Sequence, residues 1–355
     1  MILGNSTAQE KSNYTLFGKI SQEYRTNFFR LHDSTKVDDY RTNFYFSVAN
    51  KRRIWNSSRL DLTYELRHRS YDEYEEYGRN DHQGSVKLQK PVTNKWRFTL
   101  SNEMRLRQSR TTNFSYLRNI AHIYTNLEIT PQNQAYFGMQ HWSKDYYKSS
   151  LYQRYNSVRL YAKINLQLNI TTNLSIHSEY NHHEGNLYPG SKGEDLELEL
   201  NGHRFIFISR VDKILYRKLF ATFAYRFEND FPAEVENELT GQHFNDENYD
   251  ELLAEDSDFG YFKNQFSVSS LWKVSPGFSL MAFYNLYVKE FKFWRISSTG
   301  PERSDRLIFI SHIFKLNFNT NYALELRHIY EENHTNFSLF QYKMNAISAG
   351  LSVQF

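Results

Sequence analysis

The side chains of this sequence that could do chemistry are mostly permanent charges. Arg67 and Arg69, and likewise Arg105 and Arg107, stand two residues apart, with Lys87 and Arg118 in neighbouring segments. On an extended backbone residues two apart share a face, so each pair sets two guanidinium groups on one side. Arginine stays charged at any working pH. Glu179, Asp195, Glu197 and Glu228 form a separate acidic set further along the chain. Chemistry of this kind is electrostatic: it attracts, repels or orders ions and charged solutes.

Bond-making chemistry has little to stand on. The absence of Cys removes disulfides, Cys-zinc sites and thiol catalysis. The sequence holds no Gly-x-Ser-x-Gly, no phosphate-cradling loop and no His-Glu-x-x-His. His182 and His183 precede Glu184, but neighbours on a strand point to opposite faces and no second pair accompanies them. Asp256, Asp258 and Gly260 resemble part of a calcium loop, yet the spacing misses the EF-hand pattern and the distal Glu is missing. These two aspartates are weak metal candidates, and neither an enzyme nor a cofactor is expected.

What must position the charges is a period of two. Over residues 59–69, Leu60, Leu62, Tyr64, Leu66 and His68 alternate with Asp61, Thr63, Glu65, Arg67 and Arg69. A strand with one apolar and one wet wall segregates these sets, whereas a helix cannot. The same pattern predicts strands near 13–32, 39–50, 58–69, 81–91, 95–107, 116–130, 134–143, 151–169, 173–182, 194–208, 218–228, 261–273, 277–289, 305–317, 321–331 and 340–355. That is about 16, with 14 or 18 also compatible; the seventh, tenth and twelfth strands carry the faintest pattern. Links after even-numbered strands are tight, as at 91–95, 131–134 and 171–173. Links after odd-numbered strands are mostly longer and more charged, up to the strongly acidic 229–260. The stretch 209–217 is the exception, longer than its side predicts.

The chain has 355 residues, a formal charge of +3 and 17% aromatic residues, with a mean hydropathy of -0.71. Its apolar runs, such as Phe205-Ile206-Phe207-Ile208, fall far short of the ~18 residues of a spanning helix. A strand barrel escapes that test, because only alternate residues face lipid. Trp55, Trp96 and Trp272 fall beside tight links, where amphipathic rings favour a headgroup level. Residues 1–12 are expected to be the remnant of an export signal or a flexible segment, with Ser6-Thr7-Ala8 as the small-residue tail. Residues 13–355 are expected to form a single barrel.

The last strand alternates Asn345, Ile347, Ala349, Leu351, Val353 and Phe355 on one face. A terminal strand of this kind ending in Phe resembles the C-terminal signature of bacterial outer-membrane β-barrel proteins, including general porins. The resemblance implies an all-β, antiparallel, up-and-down transmembrane barrel in the outer membrane, with short periplasmic turns and long extracellular loops. It also implies that Leu351, Val353 and Phe355 are read by the barrel-assembly machinery and that lipid surrounds the rest.

In such a barrel Arg67, Arg69, Lys87, Arg105, Arg107 and Arg118 point inward as a basic wall, and Glu179, Asp195, Glu197 and Glu228 as an acidic wall opposite. The arrangement resembles the eyelet of general porins, although the link after the fifth strand is short where those porins place a constriction loop. Met281, Phe283, Tyr287 and Phe309 also point inward and would partly fill the lumen. The expected function is a porin-like channel for passive diffusion of small polar solutes, with an anion preference. The alternative is a plugged accessory subunit of a larger envelope complex, docking partner proteins through loop 229–260.

Overall fold

The computed structural model describes residues 14–26, 38–54, 57–110, 115–146, 152–187, 198–199, 201–232, 239–240, 260–295, 301–336 and 341–354. Eighteen paired segments close into one sheet, and two of them, Leu198–Glu199 and Leu239–Thr240, are only two residues long. Sixteen staves remain. They are β1 (Tyr14–Arg25), β2 (Asp39–Ile54), β3 (Ser58–Tyr71), β4 (Arg79–Pro91), β5 (Trp96–Ser109), β6 (Tyr116–Thr130), β7 (Asn133–Tyr146) and β8 (Tyr152–Asn169). The second half is β9 (Thr172–Leu187), β10 (Gly202–Tyr216), β11 (Leu219–Pro232), β12 (Tyr261–Lys273), β13 (Phe278–Arg295), β14 (Glu302–Asn317), β15 (Tyr322–Thr335) and β16 (Tyr342–Gln354).

Each stave pairs antiparallel with its neighbours in sequence, and β1 pairs with β16 from Phe17 opposite Gln354 to Arg25 opposite Ala346. Closure matters because an unpaired backbone group in hydrocarbon costs several kcal/mol. Exposed apolar residues repeat every second position on one face, as Leu16, Ile20 and Tyr24 on β1 and as Phe98, Leu100 and Met104 on β5. In water such a continuous band would be an aggregation surface; in a bilayer it is the contact surface. Leu351 belongs to this outer face at 49% exposed; Val353 shares its parity, and Phe355 lies outside the described residues.

At one rim, short side chains tie the turns. Thr93 Oγ1 accepts from the backbone N–H groups of Lys95 (3.2 Å) and Trp96 (3.0 Å). Asn319 Oδ1 does the same for Asn321 (2.8 Å) and Tyr322 (2.9 Å). Such local caps favour tight reversals over longer loops. The staves meet their longer links at the opposite rim, as after Pro232 and before Tyr261, so the short-turn rim is the periplasmic one. Trp96 and Trp272 sit exposed at that rim, and Trp55 lies outside the described residues.

The tenth strand corrects the sequence reading. Gly202–Tyr216 pairs with β9 and β11 along its length, and the chain reverses at Arg217–Lys218. The stretch 209–217 is therefore mostly strand, and its turn is as short as the others on that rim.

Candidate functional site

The interior face of each stave follows from the register with the outer band. Arg67 and Arg69 on β3, Lys87 on β4, Arg105 and Arg107 on β5 and Arg118 on β6 all lie on the lumenal side. Glu179 on β9 and Glu228 on β11 do too. Asp195, Glu197, Asp256 and Asp258 fall outside the described residues. Among the described residues no group of three or more His, Asp or Glu could hold a metal ion.

The structure sets these charges in mixed rows rather than in walls of one sign. Arg67, Asp81, Arg107, Tyr116 and Tyr146 occupy one register row across β3–β7. Asp81 is 2% exposed and collects Arg107 (2.8 Å), Arg105 (3.2 Å) and Arg79 (3.6 Å). The rings on β6 and β7 complete this knot: Arg107 lies over Tyr116 (4.8 Å), and Lys144 lies over Tyr116 (4.6 Å) and Tyr146 (4.8 Å). Arg118 pairs with Glu103 (2.9 Å), Arg67 with Glu65 (2.8 Å), and Lys87 sits over Tyr124 (5.9 Å).

The other side is mixed as well. Glu179, Ile206, Glu228, Lys263, Lys289 and Asp305 form a row across β9–β14. Glu179 is held by His177 (3.3 Å) and Arg159 (3.7 Å). Glu228 accepts from Tyr261 (2.9 Å) and Lys263 (3.4 Å) and pairs with Arg226. One layer nearer the long-loop rim, Arg204 pairs with buried Asp230 (3.4 Å). On β14–β16 a small apolar cluster is buried, Ile329, Met344 and Ala346 with Phe309 against them, beside Glu331 in the same row, and Phe309 meets Phe283 at 5.7 Å. On β7–β8 Tyr161 lies over Gly138, where a Cβ would come within 2.5 Å of the ring.

One arc stays open. Staves β1–β3, β15 and β16 bound a cavity of about 210 Å³ lined by Lys19, Arg41, Arg67, Arg69 and Arg327, with Glu23 and Glu325 as its acids. Glu23 is shared by Arg25 (3.0 Å) and Arg41 (2.8 Å), and Glu325 is taken by Lys19 (2.9 Å). Arg327 donates to Ser311 (3.3 Å). The charge count of the lining is five cations against two carboxylates, a net excess of three.

No protein-family model and no curated relative matches the sequence. Solved structures do. Acinetobacter baumannii OccAB1 matches with a TM-score of 0.57 over 98% of this chain and 97% of its own, at 8% identity. The outer membrane protein opdK from Pseudomonas aeruginosa gives 0.55 over 96% and 98%, at 8% identity. Pseudomonas aeruginosa OpdL gives 0.54 over 97% and 99%, at 10% identity. The fold is that of a bacterial outer-membrane β-barrel. At these identities the likeness speaks for the architecture alone, and the chemistry of this barrel has to come from its own lumen.

Several lumenal groups escape a reading of the sequence by segment. Asp81, Lys263, Lys289, Arg41 and Arg327 all sit at inward positions of their staves, so the alternation does mark their facing. Which of them meet is set by register, and no local pattern encodes that.

Proposed function

We propose that this barrel is a passive channel for small polar solutes that favours anions. The observation that carries the reading is the open arc: a cavity of about 210 Å³ whose lining holds three more cations than carboxylates. Fixed charges beside water in a pore raise the local concentration of counter-ions, over a Debye length of ~8–10 Å at ordinary salt. Arg67 lines the cavity with its side chain 41% exposed, even though it also pairs with Glu65. Arg105 and Arg107 are turned away from this role by Asp81, so the selective set becomes Lys19, Arg41, Arg67, Arg69 and Arg327.

The buried apolar cluster of Phe309, Ile329, Met344 and Ala346, one layer from the cavity on the same staves, favours a second reading, a closed accessory barrel whose loop 229–260 docks partners. Single-channel recording in a planar bilayer separates the two. Discrete current steps, with a reversal potential on the anion side in a salt gradient, are expected for the channel. A pure protein that inserts and gives no steps would overturn it in favour of the accessory barrel.

A further inference from the structure

The periplasmic rim carries a charge pattern of its own, independent of whether the lumen conducts. Lys51, Arg52, Arg53 and Arg59 at the β2–β3 turn, with Lys90, Lys95 and Arg97 at the β4–β5 turn, are all exposed. Lys213, Arg217 and Lys218 at the β10–β11 turn and Lys273 before the β12–β13 turn are exposed too. The turns that separate these groups, at 131–132, 170–171 and 318–321, contain no charged residue. In a ring of sixteen staves the first group centres on β3–β4 and the second on β11–β12, eight staves away. Two basic arcs therefore face each other across the barrel.

Their counter-charges are few and turned inward. Among the described residues the acids near this rim are Asp61, Glu128, Asp212 and Glu325, all partly buried on the lumenal face. Arg59 holds Asp61 (2.6 Å), Arg210 holds Asp212 (2.7 Å) and Lys19 holds Glu325 (2.9 Å).

The company these cations keep identifies what they meet. Arg52, Lys90 and Lys213 lie on the outer, lipid-facing parity of their staves. Arg52 donates to the hydroxyl of outward Tyr14 (2.7 Å), which keeps the guanidinium at the edge of the apolar band. Each arc also holds an exposed outward Trp: Trp96 follows Lys95, and Trp272 precedes Lys273. Indole rings settle at the headgroup level, so the cations beside them lie at the depth of lipid phosphates. A zwitterionic headgroup neutralises its own phosphate, whereas a net-anionic one keeps a charge to be matched.

We propose that the two basic arcs of the periplasmic rim bind net-anionic phospholipid headgroups of the inner leaflet. The test uses the whole barrel reconstituted in phosphatidylcholine vesicles, with trace spin-labelled phosphatidylglycerol or phosphatidylcholine to report the lipid held against the protein. A cation at an anionic surface is worth about 1 kcal/mol, so the native barrel should prefer phosphatidylglycerol by roughly three- to fivefold, and less in molar salt. The triple variant Arg52→Gln, Lys90→Gln, Lys95→Gln should remove about half of that excess. Adding Lys213→Gln, Arg217→Gln and Lys218→Gln should remove most of the remainder, while Lys→Arg at the same positions keeps it. Circular dichroism and heat-dependent gel mobility check that each variant is folded. A native ratio of one, or a sixfold variant that keeps the native ratio, overturns the proposal. So does a folded sixfold variant that keeps its lipid preference but no longer binds soluble polyglutamate, which would assign the arcs to an acidic polymer instead.

Discussion

Two arginine-rich regions of one lumen behave differently. Around Asp81, three arginines converge on a single carboxylate that is almost wholly buried, and the Tyr116 ring on β6 closes over Arg107. Around the cavity on β1–β3 and β15–β16, cations of the same type outnumber their acids and border open volume. Residue type and inward facing are common to both. What differs is the lateral partner: a buried charge must be matched by its neighbours or it destabilises the fold, so the Asp81 knot spends its charge on holding β4–β6 together. Only cations with solvent beside them are left to act on a solute.

The largest expected effect tests that contrast through stability. Replacing Asp81 with Asn leaves three guanidinium groups without their shared carboxylate, and removing one member of a buried ionic group costs about 3–5 kcal/mol. Glu325→Gln breaks only the partly exposed pair with Lys19 and should cost less than about 1 kcal/mol. Denaturant unfolding in vesicles, followed by tryptophan fluorescence, measures both; equal costs would erase the distinction between knot and cavity.

The contrast also depends on facing. Leu62 and Leu100 sit on the outer band at 39% and 43% exposed, while Thr63 and Ser101 lie on the lumenal face. An Arg placed in the outer band at mid-membrane should cost roughly 2–4 kcal/mol, and an Arg at Thr63 or Ser101 far less. A slip of one residue exchanges the two faces, so inverted costs would place the knot and the cavity on the lipid side and end the comparison.

A smaller effect separates the two regions by function. Two unit charges 4 Å apart interact by about 1 kcal/mol in water, so Arg69→Glu with Arg327→Glu should shift the anion-to-cation permeability ratio by about fivefold or more. Arg105→Gln with Arg107→Gln should leave the ratio near its native value in barrels that fold. Reversal potentials in a salt gradient give both numbers. A selectivity that follows Arg105 and Arg107 instead would reverse the assignment.

The smallest effect is on no activity at all. Because the chain has no Cys, single substitutions Asn94→Cys and Asp250→Cys report sidedness with an impermeant maleimide. Whole cells should label position 250 only, and position 94 should react only after the outer membrane is opened. The reverse pattern would turn the molecule over and move the basic arcs to the outer leaflet.

Alternation and link length alone mark most of the staves, their facing and the sorting of loops by side. Those are local properties: the pleat repeats every two residues, so Leu60 to His68 declare their wall without any partner. Alternation fails at β10, where both parities are mixed; Phe207, Ser209, Val211 and Lys213 share one face and Ile208, Arg210, Asp212 and Ile214 the other. That stave exists because β9 and β11 supply hydrogen-bonding partners on each side, and pairing is a property of the closed sheet. The same holds for the charges. Arg67, Arg105 and Arg107 were legible as inward cations, but only the register decided that Asp81 ties up two of them and that Arg41, Arg69 and Arg327 meet across the β1–β16 seam, between residues nearly three hundred positions apart. Facing is written in each segment, whereas the meeting of charges waits for the barrel to close.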